Sequence, residues 1–170
     1  MCSIAGICDF TKDLRMDYSY NEKIVSNMGV SMLNRGPDDF RTIVDENIAF
    51  AHTRLAVIDI DGGAQPMTKI GANKEFKILA KEFYQSKCPL KIIDNFNRYS
   101  IIYNGELYNT KELKDCLIKE GYEFETSSDT EVLLTSYIHY GEECVDYLNG
   151  IFAFAIWDSR KKRLFVARDR

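Results

Sequence analysis

A cysteine stands second in the chain, directly after Met1. Removal of Met1 makes Cys2 the amino-terminal residue and sets its thiol and its own α-amino group on adjacent carbons. A free α-amine titrates at about 7.7–8.0 and a cysteine thiol at about 8.5. The amine is therefore a usable base at neutral pH, directly or through one water, and no histidine is required. That suits a chain whose only histidines are His52 and His139. Position two also has a plainer reading, a small residue opening a buried strand. A second segment, Tyr103-Asn104-Gly105-Glu106, offers what an acyl-transfer nucleophile needs next. The Asn104 side-chain amide and the Gly105 backbone N–H are two donors for a developing oxyanion, and one such donor is worth on the order of 10²–10³ in turnover. Asn-Gly equally favours positive φ and tight turns, so a simple hairpin turn competes with that role. Third, Arg54 and Asp129 are charges beside apolar segments. A guanidinium holds a carboxylate by a two-pronged contact, and a carboxylate holds an ammonium, so the pair could grip both ends of a free amino acid. Taken singly, Arg54 reads as a surface or ion-paired residue and Asp129 as a first-turn acid answering the helix macrodipole.

These residues need elements to position them. Ser3 to Phe10 is rich in small and β-branched residues and is predicted as a buried strand. Ile24, Met28 and Met32, with Val25 and Leu33 beside them, make one apolar face of a helix over Glu22 to Leu33, broken by Arg35-Gly36-Pro37-Asp38. Ile48 to Ile60 is predicted as two strands or one long bent strand, closed by the Asp61-Gly62-Gly63 turn. Lys69 to Arg98 shows no dominant period and is expected to be a partly helical excursion with an irregular return. Ser100 to Tyr103 is a short strand. Asn109 with Glu112 and Ser128 with Glu131 are capping pairs for two helices that stop at Gly121 and Gly141. Ile151 to Trp157 and Arg163 to Ala167 form a last hairpin, apolar on both faces, as in a sheet covered on each side. Strands, helix, strands, helices, strands place the chain in the α+β class.

Composition excludes several functions. With 45% hydrophobic and 28% charged residues, the 170-residue chain is an ordinary globular domain with enough length for a real core. A net charge of -4 and the lack of a basic face argue against nucleic acid as a partner. No apolar run reaches membrane-spanning length. The start has no charged leader before its apolar residues, which argues against a signal peptide. Cys2, Cys8, Cys88, Cys116 and Cys144 are odd in number and scattered, which fits neither a disulfide framework nor a zinc site and points to a reducing, cytoplasmic setting.

Met1-Cys2-Ser3-Ile4-Ala5-Gly6, Asn34-Arg35-Gly36-Pro37-Asp38, His52-Thr53-Arg54-Leu55-Ala56-Val57-Ile58-Asp59, Gly63-Ala64-Gln65-Pro66-Met67, Tyr103-Asn104-Gly105-Glu106-Leu107-Tyr108-Asn109, Ser128-Asp129-Thr130-Glu131-Val132 and Gly150-Ile151-Phe152-Ala153-Phe154-Ala155 follow one another along the chain. Together they resemble the class II glutamine amidotransferase domain, in particular its glutamine-hydrolysing asparagine-synthetase group. Each motif is weak alone; in this order, with a cysteine at position two, they are specific. The resemblance spans residues 1–170 and implies an N-terminal-nucleophile hydrolase fold, an αββα sandwich of two stacked antiparallel sheets covered by helices. It implies that Cys2 attacks the side-chain amide of L-glutamine, that Asn104 and Gly105 form the oxyanion hole, and that Arg54 binds the α-carboxylate. It further implies that Glu106 and Asp129 bind the α-amine and that Arg54, Leu55, Ala56, Val57 and Ile58 line the pocket, largely through backbone. Glutamate and ammonia are the implied products, with ammonia passed to a synthetase domain or subunit. No metal or organic cofactor is expected for this domain; ATP and Mg belong to the synthetase domain. A homodimer is compatible with the resemblance.

Three departures accompany it. Asn34 stands where the family usually has His. Residues 69–98 are longer than the usual connection and read as an insertion. The chain stops at Arg170, where relatives continue with further strands and a synthetase domain, so a domain truncated at its C-terminus is expected, without ATP binding or asparagine synthesis of its own. Ser3 and the Gly-Ala-Gln-Pro segment favour the asparagine group over domains serving glucosamine phosphate, phosphoribosylamine, glutamate or β-lactam synthesis. A catalytically silent glutamine-binding module is the alternative outside enzymes.

Overall fold

The structure is a computed structural model that describes residues 2–55, 62–79 and 96–170. Among the described residues, eight strands form two antiparallel sheets. The smaller has the order β1-β3-β2, from β1 (Ser3–Cys8), β2 (Asp39–Val44) and β3 (Ile48–Arg54). The larger has the order β5-β4-β6-β7-β8, from β4 (Met67–Ala72), β5 (Glu75–Ile78), β6 (Asn97–Leu107), β7 (Gly150–Asp158) and β8 (Arg163–Arg168). Helix α1 (Tyr18–Val30) packs on the smaller sheet, and α3 (Asp129–Tyr140) packs on the larger with α2 (Thr110–Lys119) beside it. The expected four-layer αββα arrangement is what forms.

Period-two alternation sorts the side chains between layers. Along β6, Ile101 and Tyr103 point to the helix side, into a cluster with Leu133, Leu134 and Tyr137 of α3. Ile102 between them points to the smaller sheet and meets Ile48, Phe50, Ala155 and Trp157. On the far side of the smaller sheet, Val44, Ala49 and Ala51 meet Val25 of α1. Strands buried on both faces need apolar residues at consecutive positions, which is why β7 reads as a continuous apolar run from Ile151 to Trp157.

Several elements depart from expectation. The segment expected as a short strand ending in an Asn-Gly turn is an eleven-residue strand, with Asn104 opposite Ala153 and Gly105 opposite Phe152 in the β6–β7 ladder. Pairing with β7 overrides the turn preference of the dipeptide. Helix α1 starts at Tyr18 and ends at Val30, earlier than its apolar spacing suggests. Strand β2 has no counterpart in the sequence reading, because Asp39 and Arg41 interrupt its apolar pattern; they pair with each other on the edge of the sheet. Residues 69–78, expected to be partly helical, are instead the end of β4, a two-residue turn and β5, while residues 80–95 lie outside the described residues. Strand β8 is an edge strand and leaves Val166 64% exposed, so it is not covered on both faces. Ser128 caps α3 by accepting from the Thr130 N–H, as expected, but Glu131 does not reach back to complete the box. Asn109 makes no side-chain cap bond; its amide ties to Tyr147 and Asn149 instead.

Candidate active site

Six segments converge on one cavity of about 260 Å³ at the edge where the two sheets meet α3. Residue Cys2, just ahead of β1, shares the side of that strand that Ile4 turns to the larger sheet, and it lines the cavity. Its Sγ lies 3.7 Å from the Leu55 carbonyl oxygen, to which the thiol donates. Arg54 ends β3 and contributes a cation only 7% exposed. Asn104, Gly105 and Glu106 come from β6, and Ser128, Asp129 and Thr130 from the first turn of α3.

The geometry of β6 explains why its residues are open to the cavity. The β4–β6 ladder runs from Gly71 opposite Asn97 to Met67 opposite Ile101 and goes no further. Beyond that point side chains hold the edge of β6. The Tyr103 N–H donates to Gln65 Oε1 at 2.6 Å, and the Tyr103 carbonyl lies 3.2 Å from His52 Nε2. Residues i and i+2 of a strand present their backbone groups to the same edge. The Gly105 N–H therefore leaves β6 on the cavity side, where no strand pairs with it. Glycine is required there by close approach rather than by φ: a Cβ would come within 2.7 Å of Phe152 Cα, besides meeting the Ile151 carbonyl oxygen.

Asp129 is fixed before any ligand arrives. Its Oδ2 accepts from the Tyr103 hydroxyl at 2.9 Å and from the Leu107 N–H at 3.3 Å. Burial, and then the Asp129 charge beside it, push the Tyr103 phenol well above its ordinary range, so it stays protonated and keeps donating. Desolvation lowers His52 to about 4, leaving it neutral at neutral pH. Facing a carbonyl oxygen, its Nε2 must then carry the proton.

The chain matches the glutamine amidotransferase domain over residues 1–80 and 84–170. It belongs to that family. Among curated relatives it is 44% identical over 170 residues to asparagine synthetase [glutamine-hydrolyzing] 3 of Bacillus subtilis, covering 100% of this chain and 23% of that protein. It is 36% identical over 178 residues to putative asparagine synthetase [glutamine-hydrolyzing] 2 of Methanocaldococcus jannaschii, covering 100% of this chain and 30% of the relative. It is 32% identical to asparagine synthetase B [glutamine-hydrolyzing] of Escherichia coli over 169 residues, 99% of this chain and 25% of the relative. The chain thus spans about a quarter of the length of these proteins. Among solved structures, the glutamine phosphoribosylpyrophosphate amidotransferase of Bacillus subtilis, complexed with ADP and GMP, aligns with a TM-score of 0.51 at 25% identity, over 74% of this chain and 24% of that one.

Of the residues that the sequence singles out, the cavity brings together Cys2, Arg54, Leu55, Asn104, Gly105, Glu106 and Asp129. Ala56, Val57 and Ile58 lie outside the described residues. Gln65, Tyr103, Tyr108, Thr130 and Ile151 also line the cavity, with no role that their residue types and spacing indicate. Gln65 carries no signal of its own in the sequence, since nothing local shows where the β4 ladder ends. Among the described residues no three His, Cys, Asp or Glu side chains gather as a metal site, and no helix is long and apolar enough to cross a membrane.

Proposed function

We propose that this domain hydrolyses L-glutamine to L-glutamate and ammonia, with Cys2 as nucleophile. The observation that carries the reading is the cavity itself, which has a thiol, an amide donor and an unpaired strand N–H on its walls, with a buried cation and two carboxylates around them. With Met1 removed, the Cys2 α-amine takes the thiol proton and the sulfur attacks the side-chain carbonyl carbon of glutamine. The resulting oxyanion accepts from the Asn104 amide and the Gly105 N–H. The protonated amine then gives its proton to the leaving nitrogen, ammonia departs and a glutamyl thioester remains. Water, losing a proton to the same amine, attacks the thioester; glutamate leaves and the thiol is restored. Arg54 binds the α-carboxylate. Asp129, whose Oδ2 is already occupied by Tyr103 and Leu107, offers Oδ1 to the α-ammonium, with Glu106 beside it.

The curated relatives are named as glutamine-hydrolysing asparagine synthetases, which supports an asparagine-synthetase-type partner domain as the acceptor of the ammonia. The test is ammonia release from L-glutamine by the purified protein, with mass spectrometry of its amino terminus. Protein lacking Met1 should release ammonia and glutamate in equal amounts. Cys2→Ala should release none while keeping the circular dichroism and unfolding midpoint of the parent. Activity in protein that retains Met1 would exclude the amine as base.

A further inference from the structure

We propose that Gln65 is a positioning residue for the oxyanion donors, holding the Tyr103–Asn104 segment of β6 in place from the edge where the β4 ladder has ended. The inference rests on the glutaminase reading of the cavity and adds a residue to it. The register that pairs Met67 with Ile101 brings Gln65 opposite Tyr103. Pro66 lies between Gln65 and Met67, and no backbone pair forms beyond Met67. The contact at residue 103 is made by the Gln65 side chain: Oε1 accepts the Tyr103 N–H at 2.6 Å.

That substitution of side chain for backbone has a specific effect. A continued ladder would run along the whole edge of β6 and occupy the Gly105 N–H. No pairing at all would leave the end of β6 free to fray on that side. A single side-chain bond at residue 103 fixes the strand one peptide ahead of Asn104 and two ahead of Gly105, and leaves the Gly105 N–H open to a ligand. The other end of the same amide donates to Thr130 Oγ1 at 3.2 Å, so Gln65 also ties β6 to the first turn of α3, next to Asp129. His52 holds the opposite pole of residue 103, donating from Nε2 to its carbonyl. Both side chains are buried, Gln65 at 5% and His52 at 1% exposure. Preorganised donors stabilise a charge that develops only in the transition state, so loosening their strand should weaken turnover more than binding.

The experiment compares the parent with Gln65→Met, which keeps the length and apolar bulk and loses both hydrogen bonds. Initial rates of ammonia release give kcat and KM. Two ligands separate the donors from the rest of the site. L-Glutamate reports the α-carboxylate and α-amine grips. L-Glutamate γ-semialdehyde adds the Cys2 thiol across its carbonyl, the sulfur bonding to carbon and the proton passing to oxygen, and so forms a tetrahedral centre that needs the donors. A displaced strand should cost roughly 10- to 100-fold in kcat, with KM changed by about twofold or less. Semialdehyde affinity should fall in parallel with kcat, and glutamate affinity should hold. Equal losses for both ligands, or a loss carried by KM, would reassign Gln65 to plain substrate binding. Unchanged kcat would remove it from the machinery. If Gln65→Met does not fold, Thr130→Val releases only the far anchor of the amide and should show the same split between ligands at smaller size; no split there overturns the inference. A parent that releases no ammonia sinks the glutaminase reading itself, whereas an active parent with an unimpaired variant sinks this inference alone.

Discussion

Asn104 and Gly105 are neighbours in one strand and offer donors of different kinds. The Asn104 amide is a side chain that a mutation can remove; the Gly105 N–H is part of β6 and survives any substitution that the close approach of β7 allows. Asn104→Ala should therefore lower kcat on the order of 10²-fold and leave KM within a few-fold, measured as steady-state ammonia release. An equal change in both constants would make Asn104 a ground-state contact. Cys2, Arg54, Asn104 and Asp129 are legible in the sequence because the chemistry dictates residue types: a thiol beside an amine, an amide, a cation, an anion. Gln65, His52 and Tyr103 are not. Their importance comes from where a ladder stops, and the same residues could sit unremarked in a continuous sheet.

Helix α3 is the element that brings Asp129 to the cavity, and its first turn is anchored from inside the fold. Lys69 of β4 and Glu131 of α3 are 1% and 0% exposed and pair at 2.8 Å, with Thr135 sharing the ammonium at 3.1 Å. Burial alone would push the Glu131 carboxyl up. The hydrogen bonds from Lys69 and Thr126, with the Lys69 charge, hold it below the ordinary carboxylate range. Lys69→Met leaves a buried carboxylate without its cation and should cost about 3–5 kcal/mol in urea unfolding. The double variant Lys69→Met/Glu131→Gln should lose much less than the sum of the two single variants, since the uncompensated charge is gone. At this scale the helices are legible through Ser128, Gly121 and Gly141, where local chemistry marks the ends; both glycines adopt positive φ, +91° and +66°. Strand β2 and the β4–β5 hairpin are not, because mixed polar positions on sheet edges lose the alternation that marks a strand.

Across the whole molecule, His52 is a polar link between the two sheets, reaching from β3 to the Tyr103 carbonyl of β6. Its depressed pKa of about 4, against an ordinary 6.5, fixes a pH dependence. The unfolded chain binds a proton at His52 below about 6.5 and the folded chain does not, so stability rises with pH through this window and falls on acidification from about 6.5 to 4, by on the order of 3 kcal/mol. Chemical denaturation of the parent and of His52→Gln across that range should differ in slope, with the variant flatter. The layered αββα frame is legible from the order of elements and the doubly apolar strands, whereas the pairing of two polar groups across the gap between sheets is not. The frame also acts as a ruler. The cation at residue 54 stands on one sheet, while the acids at 106 and 129 stand on the other sheet and its helix. In the proposed reaction the Cys2 thiol, just ahead of β1 of the smaller sheet, must reach the side-chain amide of an amino acid whose α-ammonium those acids hold, so the span from grip to nucleophile is set by the thickness of the apolar layer that Phe50, Ile102 and Trp157 fill. Preference for one side-chain length over another is in this way partly written in residues that never meet the ligand.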